Sequence, residues 1–343
     1  MEQNEWYVLL PQPIEEEALE ILKNSGFKTI VAPEPNVEVV APLIKKARAI
    51  VLRTGIRLNR ELLTEADNLW IISRTGTGVD NVDVKAATEK GIIVTSSVGV
   101  NAITVAEHTL SLILSLFKQL FLLDKETRRG NFEIRYKNYP QDIRGKKLGV
   151  VGFGKIGQLV AKYFYNLSKE KVFVYDPFLP EGLKSNFSNF AEFVELQELL
   201  KFSDVVSIHV PLNKYTSNMI ARKELITMKP TAYLINTSRG GVVREQDLIE
   251  VLQRGIIRGA ALDVFEKEPI DSSNPLLKMD NVVLTPHTAA LTKECVVRMA
   301  VSAVKRVVDL LNGYLPDNVA NPEVLKAERW QNLKKKEVED ISE

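Results

Sequence analysis

The 343-residue chain has one cysteine, Cys295, and three histidines, His108, His209 and His287. A single cysteine rules out an intrachain disulfide and a four-cysteine zinc site, and no metal site is expected. Cys295 falls in a helical pattern and reads as a packing residue. An excess of charge is also missing: 45 Lys and Arg against 44 Asp and Glu leave a formal net charge of +1. That gives no electrostatic reason to expect a nucleic acid or an anionic membrane as partner. There is no long uninterrupted apolar run. The most apolar stretch, Ala102 to Leu123, is broken by Glu107, His108 and Lys118, which suits a buried or interface helix better than a membrane span. Residues 1–10 carry Glu2 and Glu5 and no basic segment, so no secretory signal is read there and a cytoplasmic location is the default expectation.

What is present is ordinary for a globular protein: 45% hydrophobic and 26% charged residues, in a chain long enough for two domains. In the first hundred residues, Trp6–Leu10, Thr29–Val31, Ile50–Leu52, Trp70–Ser73 and Ile92–Thr95 read as buried strands. Helical spacing at Glu15–Asn24, Val39–Ala47 and Arg60–Ala66 separates them. Such alternation predicts a parallel sheet. After a long helix near Ile103–Leu123 the pattern restarts. Lys147–Val151, Lys171–Tyr175, Val205–His209, Ala232–Asn236, Gly259–Asp263 and Val282–Leu284 read as six strands. Helical runs at Ile156–Leu167, Phe190–Lys201 and Gln246–Arg254 lie among them, which suits a doubly wound nucleotide-binding domain. A further helix is predicted over about Thr292–Asn312. The Lys- and Glu-rich stretch from Asn321 to Glu343 reads as a solvated helix or loose tail.

The run Leu148 to Gly157 is a strand ending in G-x-G-x-x-G and opening a helix. Gly152 permits the tight turn, Gly154 lets backbone approach a pyrophosphate, and Gly157 lets helix pack against strand. The helix start offers N–H groups to phosphates. The next strand ends at Asp176, about 20 residues beyond the glycines, where a carboxylate binds the adenosine ribose and repels a 2′-phosphate. The expected cofactor is therefore NAD rather than NADP.

Hydride transfer to or from a hydroxy acid needs a base, a cation for the carboxylate, and a group that tunes the base. His108 lies within the long apolar helix and reads as a core or interface residue. His209 ends a strand near the expected cofactor and reads as a wall residue. His287 follows the last strand in Thr285-Pro-His287, at the sheet edge where ligands bind, and is the best base by elimination and position. Arg239 follows another strand, and its planar fork suits a carboxylate. Glu268 follows a third, where it can orient the His287 ring and favour its protonated form.

These residues resemble the D-isomer-specific 2-hydroxyacid dehydrogenase family. The likeness runs nearly to Pro322 through Arg74-Thr-Gly-Thr-Gly-Val-Asp-Asn81, Asn101-Ala-Ile-Thr-Val-Ala-Glu-His108, the Gly152 loop, Asn236-Thr-Ser-Arg-Gly-Gly241, Leu262–Pro269 and Thr285-Pro-His287. It implies an α/β protein of two Rossmann-like domains. A flavodoxin-like substrate domain would comprise 1–101 and 290–322, and a doubly wound NAD-binding domain 102–289, with 323–343 a charged tail. The same three catalytic residues, Arg239, Glu268 and His287, are implied. So is a cofactor site lined also by Thr77, Lys155, Ile156, Asp176, Val210, Ser238 and Asp263. The backbone of Gly76, Thr77 and Gly78 would hold the substrate carboxylate, with Arg239. Members are usually homodimers in which the long helix contributes. Glu268 argues against formate as substrate, because formate dehydrogenases of the family have glutamine there.

Within the family the likeness is nearest to 3-phosphoglycerate dehydrogenases, which serve serine biosynthesis. Arg53 and Arg74 stand where that subgroup contacts phosphate, and Arg135 offers a third charge. The alternatives are a hydroxypyruvate or glyoxylate reductase, which would share the catalytic residues, and an NAD-sensing corepressor-like protein that keeps them without turnover.

Overall fold

The structure is a computed structural model describing residues 7–335. Trp6, read above as opening the first strand, and residues 336–343 of the expected tail lie outside the described residues. The chain divides into two compact units. One runs up to Asn101 and resumes at Thr292; the other is Ala102–Leu291.

The first unit holds a parallel sheet of β1 (Tyr7–Leu10), β2 (Thr29–Val31), β3 (Ala47–Leu52), β4 (Ile71–Arg74) and β5 (Ile93–Thr95), in the order β2-β1-β3-β4-β5. Alternate residues feed two cores, as the period-two geometry of a strand requires. Leu9, Ile50, Leu52 and Ile72 pack with Val40, Ile44, Leu62 and Leu63 of the helices Val37–Ile44 and Arg60–Thr64. Val8, Leu10, Val51 and Ile71 pack with Leu22 and with Ala300, Ala303, Val304 and Val307. The last four lie on helix Lys293–Leu311, which begins where Thr292 caps the N–H of Cys295. Each fully buried aliphatic side chain of this kind contributes roughly 1.5–3 kcal/mol of transfer free energy.

Two readings need correction in this unit. The helix expected over Val39–Ala47 stops at Ile44, and Ala47 already starts β3. The stretch beyond Asn321, expected as solvated or loose, folds back over its described part. Val324 and Trp330 are 3% and 5% exposed. The Trp330 indole N–H donates to the Gly91 carbonyl at 3.0 Å, and its ring meets Trp70 edge-on with centroids 5.7 Å apart. A low apolar content hid this, because a few scattered apolar residues, Val324, Leu325, Trp330 and Leu333, join the core.

The second unit holds seven parallel strands: β6 (Leu148–Val151), β7 (Val172–Tyr175), β8 (Ala191–Phe193), β9 (Val205–Ile208), β10 (Tyr233–Asn236), β11 (Gly259–Leu262) and β12 (Val282–Leu284). Their order is β12-β11-β10-β9-β6-β7-β8. The sheet reverses direction between β6 and β9, which places its ligand crevice outside those strand ends. The edge strand β8 was not among the six expected; it occupies the start of the Phe190–Lys201 run, whose helix is Leu196–Phe202. The long apolar helix also differs. It runs from Ala102 to Lys118, breaks at Gln119 with φ 52°, and continues as Leu120–Arg128 after a 58° bend. Its buried face, Ala106, Leu112, Ile113 and Phe117, packs with Leu148, Val150 and Phe164. No single helix among the described residues is long and apolar enough to cross a membrane.

Candidate active site

The cofactor loop follows β6. Gly152 turns the chain with φ 92°, and helix Lys155–Ser168 starts behind Gly154 with no side chain capping it. A Cβ on Gly157 would lie 2.1 Å from the Gly152 carbonyl oxygen, so this close approach of helix to loop admits only glycine. Open space lies where Gly154 would carry a Cβ. The helix start therefore presents its N–H groups unobstructed, an arrangement that fits a pyrophosphate. Asp176 follows β7. Its carboxylate accepts the Phe153 N–H at 2.8 Å and the Phe178 N–H at 3.0 Å. A carboxylate has about four acceptor positions, so two remain for a ribose hydroxyl. Lys155 and Ile156 open the helix, and Val210 lies beside Gly152. Ser238 is held after β10 by Asn236, whose Oδ1 accepts both its N–H and its hydroxyl. Thr77 belongs to the first unit, where its hydroxyl donates to Asn101 at 3.1 Å.

Three strand ends of the second unit carry the candidate catalytic residues His287, Glu268 and Arg239. His287 stands just past β12 with φ 55°, and its Nδ1 lies 2.8 Å from Glu268 Oε2. Glu268 follows β11, and its other oxygen accepts the Phe265 N–H at 3.0 Å. Burial works to raise the Glu268 pKa. The His287 bond, the Phe265 N–H and the charges of His287 and Arg239 outweigh it, so the group lies below its ordinary range. An ionised Glu268 only accepts, which puts a proton on Nδ1 of His287 and makes Nε2 the nitrogen that can exchange a proton. Arg239 follows β10. Its Nη1 donates to the Ser238 carbonyl at 2.7 Å, and its own carbonyl accepts from Asn236 at 2.9 Å. Gly240 lets this turn press against the Phe265 backbone, where a Cβ would come within 2.0 Å of the carbonyl.

Behind His287 lies the buried carboxylate of Asp263. It accepts the Thr285 hydroxyl at 2.6 Å and the N–H groups of Thr288 and Ala289 at 2.8 and 2.9 Å. The Asp263 carbonyl accepts the His287 N–H at 2.8 Å. His108, read from sequence as a core or interface residue, joins this network. Its Nε2 is 3.1 Å from the Thr285 hydroxyl and 3.7 Å from Asp263. The Thr285 proton is already given to Asp263, so Nε2 of His108 must be the donor. Helical periodicity placed His108 on a packed helix but could not show a partner 177 residues away.

In the first unit, Arg53 follows β3 and pairs with Glu15 at 2.9 Å, also donating to the Pro13 carbonyl at 3.2 Å. Arg74 is buried at the end of β4, and its Nε donates to the Gly78 carbonyl at 3.0 Å, bracing the Gly76–Gly78 loop. Arg135, in the second unit, lies over the Tyr136 ring at 4.6 Å.

His209 follows β9 with Nε2 2.8 Å from the Ser207 hydroxyl, and burial pushes its pKa down to about 3. It stays neutral across the working range, which suits a wall residue. The unfolded chain takes up this proton below about pH 6.5, whereas the folded chain refuses it down to about 3. Folded stability therefore declines as pH falls through that window. Thermal melts between pH 7 and 4 should lose stability less steeply in His209→Asn than in the parent; parallel slopes would contradict the assignment.

Residues 110–289 match the family model described as D-isomer specific 2-hydroxyacid dehydrogenase, NAD binding domain. Glyoxylate reductase of Thermofilum pendens is 39% identical over 303 residues, 88% of this chain and 89% of that protein. D-3-phosphoglycerate dehydrogenase of Archaeoglobus fulgidus is 37% identical over 314 residues, 92% of this chain and 59% of that protein. The chain thus spans about three-fifths of the length of such dehydrogenases, 62% for that of Methanocaldococcus jannaschii. Among solved structures, D-lactate dehydrogenase from Aquifex aeolicus, complexed with NAD and lactic acid, superposes with a TM-score of 0.80 at 31% identity, covering 93% of this chain and 97% of that one. The chain belongs to the D-isomer-specific 2-hydroxyacid dehydrogenase family, and its second unit carries the family's NAD-binding domain.

Proposed function

We propose that this chain is an NAD-dependent oxidoreductase acting between a small D-2-hydroxy acid and its 2-keto acid. The observation that carries the reading is the 2.8 Å His287–Glu268 pair in the same unit as the glycine loop and Asp176. Bound nicotinamide supplies or takes the hydride at the substrate's C2. His287 Nε2 gives a proton to the carbonyl oxygen in reduction and takes the hydroxyl proton in oxidation. Glu268 holds the ring through Nδ1 and balances the imidazolium charge. Arg239 pairs with the substrate carboxylate and stabilises charge developing on the carbonyl oxygen. The second unit holds the cofactor through Gly152, Gly154, Lys155, Ile156, Gly157, Asp176, Val210, Ser238 and Asp263. The first unit's candidate substrate groups are the backbone of Gly76, Thr77 and Gly78 and the side chains of Arg53 and Arg74.

The relatives bearing enzyme names do not favour the corepressor-like alternative. A phosphorylated tail would place the reaction at the start of serine synthesis, whereas an uncharged tail would make it a hydroxypyruvate or glyoxylate reductase. We read a cytoplasmic homodimer in contact through the exposed Ile103, Leu120 and Phe121 of the bent helix and its continuation, with the exposed Tyr139 that follows helix Ile134–Lys137. Sedimentation at a monomer mass would overturn that.

His287→Ala should lower kcat by about 10²–10⁴, the range for general acid–base catalysis, with folding intact by circular dichroism. Turnover at the parent rate would refute the assignment. Asp176→Ala should raise the KM for NAD about tenfold or more, as loss of a charge-assisted hydrogen bond does, and narrow the preference over NADP. An unchanged ratio of kcat/KM for the two cofactors would remove Asp176 from the ribose site.

A further inference from the structure

The sheet of the first unit also reverses direction. From β1 the chain moves outward to β2 and then crosses back to place β3 on the other side of β1. In open parallel sheets the ligand crevice lies outside the carboxyl ends of the two strands at such a reversal. Two side-chain links span that position. Gln12, after β1, accepts the Gly55 N–H at 2.7 Å, and Glu15 accepts from Arg53 at 2.9 Å. Asn81 fixes the opposite loop by donating to the carbonyls of Arg53 and Ile56, both at 2.9 Å. Arg53 is thus a cation delivered to a ligand crevice with an anion already seated on it.

The side chains of Glu15 and Arg53 are 17% and 31% exposed, so water screens this pair less than a surface one. A doubly charged group approaching Arg53 must displace Glu15 or sit beside its negative charge. An uncharged group meets neither cost. We propose that Glu15 is a specificity-determining residue that sets the chain against phosphate-bearing tails and toward short uncharged ones. The proposal rests on the reading of the chain as a 2-keto acid oxidoreductase. Glu15 is distant in sequence from every motif used to identify the catalytic groups.

The test compares hydroxypyruvate with its phosphate ester, two acids that differ only by the charged group, as substrates with NADH. Glu15→Gln keeps the size and a hydrogen-bond acceptor while removing the charge. The ratio of kcat/KM, phosphorylated over unphosphorylated, should rise about tenfold or more, the scale of a partly screened charge at short range. The rise should vanish in the double variant Glu15→Gln, Arg53→Gln. An unchanged ratio, or a rise that survives loss of Arg53, overturns the proposal. Glu15→Ser serves the same comparison if the glutamine variant does not fold. Turnover by the parent of none of hydroxypyruvate, its phosphate ester, glyoxylate, glycerate and D-lactate, with NADH or NAD as the direction requires, would instead refute the oxidoreductase reading. Calorimetry with 3-phosphoglycerate then decides the role of Glu15: about tenfold tighter binding by the variant supports it, and equal affinity or no binding by either protein overturns it.

Discussion

The buried carboxylate of Asp263 is the constraint on which the catalytic edge depends. A carboxylate removed from water is costly unless its oxygens are satisfied, and a non-glycine residue in the left-handed region costs about 1–3 kcal/mol unless its surroundings fix it. The same set of hydrogen bonds offsets both costs here. Asp263 takes the Thr285 hydroxyl and two N–H groups of the loop that follows His287, while its own carbonyl takes the N–H of His287 itself. The turn that satisfies the charge is the turn that holds His287 at φ 55°. With the ring so placed, Glu268 reaches Nδ1 and leaves Nε2 for chemistry.

The same logic repeats along the sheet edge. Asn236 satisfies its buried amide by gripping Ser238 and Arg239, and so sets the direction in which the guanidinium leaves β10. Asp176 accepts the Phe153 N–H and so ties the end of β7 to the glycine loop. In each case a polar group at a strand end is satisfied by the backbone of a neighbouring loop. The parallel order of the strands then brings loops that are distant in sequence to one edge. The first unit applies the device at its own reversal, with Gln12 and Glu15 reaching across to the loop after β3.

Much of this was legible in the sequence, and what was not has physical causes. Strands buried on both faces, such as β3, β6 and β9, announce themselves as apolar runs, and the glycine loop has a spacing that few other structures require. The edge strand β8 does not, since Ala191-Glu-Phe193 is short and only half covered. The bend at Gln119 escaped notice because both flanking helices keep an apolar face and no proline or glycine marks the break. Arg239, Glu268 and His287 are legible as candidates because each follows a predicted strand. The pairings of His108 and Glu15 are not, because their partners are 177 and 38 residues away and pairing at that range is a property of the fold alone.

The proposed oxidoreductase passes a hydride between nicotinamide C4 and the C2 of a 2-keto acid, with the proton supplied by His287. NADH carrying deuterium at both C4 positions is offered with hydroxypyruvate and glyoxylate, and the product acid is followed by mass spectrometry and chiral analysis. Deuterium at C2, with glycerate of the D configuration, is the result expected of this transfer. Product without deuterium, or glycerate of the L configuration, would contradict it.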